Sequence, residues 1–121
     1  ERFPKLDVVW IESGIAWLAF MTQRFDNEYL MRSSEAPALK KLPSEYMADM
    51  YYTSQPMERT NLELLEATFN AINGKEHILY ASDWPHWDFD LPSTILDLPF
   101  LDDQAKRNIL GLNAQRVFGM G

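Results

Sequence analysis

A short apolar segment that ends in an aspartate places the strongest constraint on the fold of this chain. Residues Ile78 to Ala81 predict a buried parallel strand, and Ser82 and Asp83 follow it directly. In enzymes with parallel sheets, a carboxylate at the carboxyl end of a strand lies on the face that binds ligands. Ser-Asp before a proline is also ordinary turn chemistry, in which Asp83 merely caps the turn. The whole string Ser-Asp-Trp-Pro-His-Trp-Asp is rarer than its parts and favours a functional role.

Two earlier segments also have the composition of strands. Asp7 to Ile11 is a short β-rich run that leads into Glu12, and its continuous apolarity predicts a parallel strand buried on both faces. Met50 to Ser54 is the second candidate. The third strand is the segment that precedes Asp83, from about His77 to Ser82.

Helical patterns separate and follow these strands. The first has apolar residues at the spacing of one helix face. The second begins with a capping box, Thr60 to Glu63, and ends at the pair Asn73-Gly74. The third begins at Asp102 and Asp103, and Gly111 interrupts it before a last turn or two. The apolar positions of the first helix are Leu18, Met21, Phe25 and Tyr29.

Strands that alternate with helices predict an α/β fold with right-handed parallel crossovers. Residues 1–121 are expected to form a single domain. Three parallel strands do not close a barrel, and both edges of such a sheet would be open. Either further strands come from an N-terminal segment or a partner chain, or the chain adopts a smaller open sheet. We favour the first alternative.

Composition excludes several classes of function. The net charge is −7 with scattered Lys and Arg, so a phosphate backbone would be repelled and no nucleic-acid partner is expected. The absence of cysteine excludes disulfides and thiolate metal sites. No apolar run approaches about 18 residues, so no membrane span is expected. Glu1 to Pro4 lack the features of a secretory signal, and a cytoplasmic location is expected.

The string SDWPHWD resembles the last-strand motif of amidohydrolase-related metal enzymes, a group that includes aminocarboxymuconate-semialdehyde decarboxylase and aromatic-acid decarboxylases. Two other stretches resemble the same group in the expected order, ERFPKLDVVWIESGIAW and KRNILGLNAQRVFG. The resemblance implies the C-terminal portion, about three β/α units, of a metal-dependent (β/α)8 TIM barrel. A complete barrel has about 250 residues or more.

The resemblance implies that Asp83 ligates a divalent metal, Zn or Mn, and shuttles a proton. The family completes its site with a His-x-His or Glu-x-His pair and a further histidine, which this chain lacks. The metal site is therefore expected to be incomplete, and these residues alone to be inactive. At the position of Glu12 the decarboxylases resembled here carry an acid/base histidine. Glu12 and Asp83 are the predicted catalytic carboxylates, with Glu12 as a general base.

The remaining aromatic and imidazole groups have less specific assignments. His86 is predicted to contact substrate or to support Asp83, with direct metal ligation the less favoured alternative. Trp84 and Trp87 either line a pocket for an aromatic or carboxylate-bearing substrate or pack as a wall beside the strand. His77 is predicted to be structural, about 20 Å from Asp83 at the far end of the third strand.

Two functions of different classes follow. The first is a metal-dependent enzyme that hydrolyses or decarboxylates a small organic acid or amide, and a homo-oligomer is expected. The second is a non-catalytic α/β fragment that associates through its open sheet edges.

Overall fold

The sheet is small and entirely parallel. A computed structural model describes residues 3–120. β1 spans Val9–Trp10, β2 spans Tyr51–Thr53 and β3 spans Ile78–Leu79, in the spatial order β1-β2-β3. Both neighbouring pairs run parallel. The prediction of an α/β fold with parallel strands is confirmed, although each strand is shorter than predicted.

Burial differs between the two edge strands of the sheet, β1 and β3. Both residues of β3 are buried, as predicted for that strand. The prediction of burial on both faces is wrong for β1, because Trp10 is 43% exposed and Val9 is only partly buried. β1 lies at one edge of the sheet, so no further strand of residues 3–120 covers its outer side. Continuous apolarity was a correct indicator of a parallel strand but not of its place in the sheet.

Two helices connect β1 to β2. α1 spans Ala16–Met31. Of its predicted apolar face, Leu18 is buried and Met21 packs against the core, whereas Phe25 is exposed. A single 3-10 turn follows at Ser33–Glu35, and α2 spans Pro43–Ala48. α2 packs against α1. Pro43 occupies the first position of α2, where its missing amide hydrogen costs no hydrogen bond.

Two further helices connect β2 to β3. α3 spans Leu62–Ala71, and α4 spans Gly74–His77. The predicted capping box is wrong in its first residue, because the Asn61 side chain caps α3 by accepting from the Leu64 amide at 3.0 Å. Asn73 adopts the left-handed conformation (φ 51°) between the two helices, as the turn signal predicts.

The C-terminal segment contains three helices, of which the last two are continuous with each other. α5 spans Ser93–Leu96 and α6 spans Asp103–Arg107. A π-helical segment at Asn108–Leu112 then joins α6 to α7, which spans Asn113–Phe118. The predicted interruption at Gly111 is wrong, because the helix passes through this residue as part of the wider π turn.

The core lies between the helices and one face of the sheet. Tyr52 and Ile78 are register partners on that face, and both are completely buried. The C-terminal helices close the core, since the buried Asn113 donates to the Ile78 carbonyl at 2.8 Å. None of the helices within residues 3–120 is long and apolar enough to cross a membrane. The other large side chains of the core are Ile15, Leu18, Met47, Leu65, Phe69, Ile72, Ile95, Leu98, Leu101 and Ile109.

Candidate functional site

The carboxyl ends of β1 and β3 bring three polar side chains together. Glu12 follows β1 after one intervening residue, and Asp83 and His86 lie in the loop after β3. One potential ligand atom from each of the three residues lies within 4.8 Å of the other two. Parallel strands end at the same edge of a sheet, which explains how residues more than 70 positions apart in the chain converge.

The backbone at Glu12 is held in an unusual conformation. Its φ angle is 55°, in the left-handed region that residues with a side chain rarely adopt. The Glu12 amide donates to the hydroxyl of Thr53 at 2.9 Å. Thr53 is buried at the end of the central strand β2, so the strand between the two others fixes the start of the Glu12 loop. The Glu12 carboxylate itself is exposed.

Asp83 has the same backbone feature. Its φ angle is 59°, and its carbonyl accepts from the His86 amide at 2.9 Å. The two side chains also bond, with His86 Nδ1 at 2.9 Å from Asp83 Oδ2. The Asp83 side chain is 18% exposed and that of His86 is 63% exposed. Asp83 therefore faces the cluster rather than bulk solvent, and a one-turn loop fixes its relation to His86.

Two buried polar residues after β2 anchor the Asp83 loop, and their role was missed by sequence reasoning. Ser54 accepts from the Ala81 amide at 3.1 Å and donates to the Ala81 carbonyl at 3.4 Å. Gln55 donates to the Asp88 carbonyl at 3.4 Å. Both Ser54 and Gln55 are buried. A sequence signal for this role was available, since two polar residues directly follow an apolar strand. Polar groups that are buried at such a position require hydrogen-bond partners.

The far end of the same loop is closed by Asp90. Its amide donates to the Ser82 carbonyl at 2.8 Å, and its carbonyl accepts from the Tyr80 hydroxyl at 2.7 Å. Thr94 at the start of α5 donates to the Asp90 carboxylate at 3.2 Å. Desolvation and then the negative charge of Asp90 raise the pKa of Tyr80, so its hydroxyl remains a donor. The segment from Ser82 to Asp90 is thus a loop closed at both ends.

Trp84 and Trp87 lie on the outer surface of this closed loop. Trp84 is 70% exposed and Trp87 is 93% exposed. Trp84 contacts Phe89 edge to face, with ring centroids 4.8 Å apart. Most of the surface of each tryptophan is therefore exposed within residues 3–120, and both the pocket and the wall stay as predictions.

His77 lies away from the cluster. The prediction that it begins the third strand is wrong, because it is the last residue of α4 and β3 begins after it. Its Nδ1 bonds the carbonyl of Ala48, and its ring contacts Tyr51 edge to face at 4.9 Å. These contacts agree with a structural role, in which His77 joins α4 to the end of α2.

The donor set fits a divalent cation such as Mn²⁺ or Zn²⁺. Two carboxylates and an imidazole are hard and borderline donors that both ions accept. Ligands about 2.1 Å from one ion are separated from one another by about 3.0–4.2 Å. The observed separations of up to 4.8 Å are within a small side-chain rotation of that range, because the Glu12 and His86 side chains are exposed and free to adjust.

A family model described as amidohydrolase matches residues 1–120. The chain belongs to the amidohydrolase family. This result confirms the resemblance of the SDWPHWD string and its two companion stretches. No curated protein matches the chain significantly.

Several solved decarboxylases resemble the chain. The 5-carboxyvanillate decarboxylase of Sphingomonas paucimobilis is 26% identical, with a TM-score of 0.74 over 98% of this chain and 35% of that one. A dihydroxybenzoic acid decarboxylase from a Polaromonas species, solved with bound manganese and the inhibitor 2-nitroresorcinol, is 19% identical, with a TM-score of 0.65 over 98% of this chain and 35% of that one. A 2,6-dihydroxybenzoate decarboxylase from Rhizobium is also 19% identical, with a TM-score of 0.66 over 98% of this chain and 36% of that one.

The coverage of these matches is as informative as their scores. Nearly all of this chain is aligned, yet it spans only 35% of the length of the 5-carboxyvanillate decarboxylase. The two relatives at 19% identity show the fold alone. The chain therefore has the α/β arrangement of one part of a larger enzyme fold.

Proposed function

We propose that the chain is the C-terminal part of a metal-dependent (β/α)8 enzyme that hydrolyses or decarboxylates a small organic acid or amide. The observation that carries this proposal is the convergence of Glu12, Asp83 and His86 at the carboxyl ends of parallel strands. Carboxyl ends are the catalytic face of barrel enzymes. Membership of the amidohydrolase family and the likeness to decarboxylases support the same reading.

Asp83 is the proposed metal ligand. Manganese is bound in one of the similar decarboxylases, and the donors of this chain suit Mn²⁺ or Zn²⁺. A bound divalent cation supplies Lewis-acid polarisation of a substrate oxygen. The Asp83 backbone is held by its carbonyl bond to the His86 amide, and the bond from His86 Nδ1 orients its carboxylate. Loss of its charge should abolish activity.

Glu12 is the proposed general base or acid. Hydrolysis requires removal of a proton from water, whereas decarboxylation requires delivery of a proton to the carbon that loses CO₂. A carboxyl group on a fixed backbone can accept the first proton as a carboxylate and deliver the second as a carboxylic acid. The bond from the Glu12 amide to Thr53 fixes that backbone, while the exposed side chain can still reach the reacting atom.

His86, Trp84 and Trp87 are the proposed substrate contacts. His86 holds the Asp83 carboxylate through Nδ1, and the exposed tryptophan rings offer flat apolar surface beside it. Flat aromatic rings suit an aromatic substrate, in agreement with the substrates named for the similar decarboxylases.

The test uses a polypeptide that also contains the upstream part of the barrel. With Mn²⁺ or Zn²⁺ present, it is assayed for loss of hydroxybenzoates and for hydrolysis of amides. We expect Asp83→Asn to abolish turnover and Asp97→Asn, an exposed aspartate at the end of α5, to leave it unchanged. Full activity of the Asp83→Asn variant would contradict the proposal.

A further inference from the structure

The C-terminal helical segment bonds to the outer edge of β3, where a sheet would otherwise add a strand. Within residues 3–120, β3 pairs with β2 alone, and its Leu79 carbonyl accepts from the amide that follows β2. The backbone groups of Ile78 and Tyr80, on either side of Leu79, point the other way. The Asn113 side chain donates to the Ile78 carbonyl at 2.8 Å, and the Tyr80 amide donates to the Ile109 carbonyl at 2.9 Å. These two bonds take the place of bonds to a further strand.

A π turn explains how a helix can bond to a strand edge at these two points. The turn spans Asn108–Leu112, and the Asn113 amide donates to the Asn108 carbonyl, five residues back. In a regular α-helix the same amide would donate to the Ile109 carbonyl, four residues back. The Ile109 carbonyl accepts instead from the Tyr80 amide, which lies outside the helix. Turns of this kind are frequent at functional sites.

Polar contacts fix the orientation of the Asn113 side chain. Arg116 donates to Asn113 Oδ1 at 2.7 Å. The side-chain nitrogen is therefore left to donate to two carbonyls, those of Lys75 at 3.2 Å and Ile78 at 2.8 Å. Asn113 is completely buried, so water would not replace these bonds if they were lost. The C-terminal segment is thus fixed against both α4 and β3.

Tyr80 joins this C-terminal segment to the loop that carries Asp83, residues 82–90. Its amide is bound to Ile109, and its hydroxyl donates to the Asp90 carbonyl at 2.7 Å. The Asp90 amide in turn donates to the Ser82 carbonyl at 2.8 Å, which closes the loop next to Asp83. One residue therefore connects the start of the loop to its end, and its own backbone is held by the π turn.

We propose that Tyr80 is a positioning residue for Asp83, and that the π turn of the C-terminal helix holds Tyr80 in place. The inference rests on the proposed function, since it concerns the placement of the proposed metal ligand. It adds a role for the stretch KRNILGLNAQRVFG, which the proposed function leaves unassigned. Tyr80 acts through the loop backbone and does not itself touch the substrate.

The test is hydrogen exchange of the 121-residue chain, followed by mass spectrometry of its peptides at low micromolar concentration. Tyr80→Phe should speed exchange in residues 82–90 by about 5-fold, because the net strength of one hydrogen bond corresponds to a factor of this size. The affected amides include those of His86 and Asp90, which close the loop. Exchange in α3, residues 62–71, should be unchanged.

Tyr52→Phe is the matched control. It also removes a tyrosine hydroxyl that donates to a backbone carbonyl, that of Met47 at 2.8 Å, but it does so in the core. A loss of overall stability without a change of the loop would appear in this variant too. We expect Tyr52→Phe to leave exchange in residues 82–90 unchanged.

Asn113→Ala tests the contribution of the C-terminal segment. Exchange in residues 78–90 should be at least about 5-fold faster, because the Ile78 carbonyl loses its donor and the segment that holds Tyr80 is loosened. Far-UV circular dichroism verifies that this variant keeps its helices. If it does not, Tyr80→Phe with its control decides the inference.

Activity provides a second measurement in the longer polypeptide that tests the proposed function. Tyr80→Phe should reduce kcat/KM by about 10-fold, a size typical of groups that orient a metal ligand, whereas Tyr52→Phe should not. Unchanged exchange of residues 82–90 in Tyr80→Phe, or an equal change in Tyr52→Phe, would overturn the inference. Neither result contradicts the proposed function, and an inactive longer polypeptide would contradict that function without altering the exchange result.

Discussion

Glu12 and Asp83 both have positive φ angles, 55° and 59°, although neither is glycine. A residue with a Cβ atom in this region carries about 1–2 kcal/mol of conformational strain. Such strain is typical of functional sites, where the position of a side chain matters more than the stability of its backbone. At this scale the proposed site is destabilising, and hydrogen bonds from the buried Thr53, Ser54 and Gln55 hold its two loops in place.

Removal of the Cβ atom at position 12 tests this strain. Glu12→Gly should be more stable than Glu12→Ala by about 1 kcal/mol, because glycine adopts a positive φ without steric cost. Urea unfolding followed by circular dichroism measures the difference. Asp97→Gly compared with Asp97→Ala is the control, since its φ is −86° and alanine should be the more stable there. Equal stabilities of the two Glu12 variants would show that the backbone at position 12 is not strained.

Tyr52 provides a pH-dependent test in the core. Its hydroxyl donates to the Met47 carbonyl at 2.8 Å, and burial raises its pKa from 10.0 to about 12. The folded state therefore holds this proton more tightly than the unfolded state does. Its contribution to stability is complete below about pH 10 and is lost as the pH rises through about 12.

Tyr52→Phe should accordingly have two effects. It should lower the free energy of unfolding at pH 7 by about 1 kcal/mol, because the Met47 carbonyl loses the Tyr52 hydroxyl and keeps the Met50 amide as a donor. It should also reduce the decline in stability between pH 10 and 12. Urea unfolding of both proteins across this range measures the two effects. A parallel decline in both proteins would show that Tyr52 ionises with an ordinary pKa.

At the scale of elements, the start of α3 shows how local signals can select the wrong residue. Thr60 and Glu63 satisfy the pattern of a capping box, but Asn61 is the N-cap. Both residues are good caps by type, and the pattern alone cannot choose between positions one residue apart. The choice depends on where Leu65 and Phe69 enter the core, because that sets the rotation and start of the helix.

Alanine substitutions distinguish the two capping residues. Asn61→Ala should lower the free energy of unfolding by about 1 kcal/mol, since the Leu64 amide loses its acceptor. Thr60→Ala should change it by less than about 0.5 kcal/mol, as expected of an exposed residue without a capping role. Thermal or urea unfolding measures both. A larger loss of stability in Thr60→Ala than in Asn61→Ala would instead support Thr60 as the N-cap, as the predicted capping box requires.

At the scale of the whole molecule, the β1 edge of the sheet is open within residues 3–120, and exposed apolar residues lie beside it. The outer edge of β3 is covered, since the Tyr80 amide donates to the Ile109 carbonyl at 2.9 Å and Asn113 donates to the Ile78 carbonyl at 2.8 Å. Ile11 is 70% exposed beside the β1 edge, and Phe20 and Leu30 on α1 are 65% and 67% exposed. Edges and apolar surfaces of this kind invite association. A barrel would cover them with its neighbouring strands and helices, in agreement with a chain that spans 35% of a similar decarboxylase.

The chain by itself should therefore self-associate. We expect its weight-average mass in sedimentation equilibrium to rise with concentration, because association buries the exposed apolar side chains. Ile11→Lys should lower this tendency by placing a charge at the sheet edge. Glu66→Lys changes the charge at an exposed position of α3 and is the control. A strictly monomeric chain at all concentrations would instead favour the alternative of a smaller open sheet that is stable by itself.

The sequence by itself determined the order of the elements, the parallel sheet and the family, because each depends on local patterns or on short strings such as SDWPHWD. It also placed Glu12 and Asp83 after parallel strands. Only the tertiary structure decided that His86 joins them and that Ser54 and Gln55 support their loop. Those contacts join loops that are distant in the chain, and their geometry depends on strand register and loop closure, which no single segment encodes.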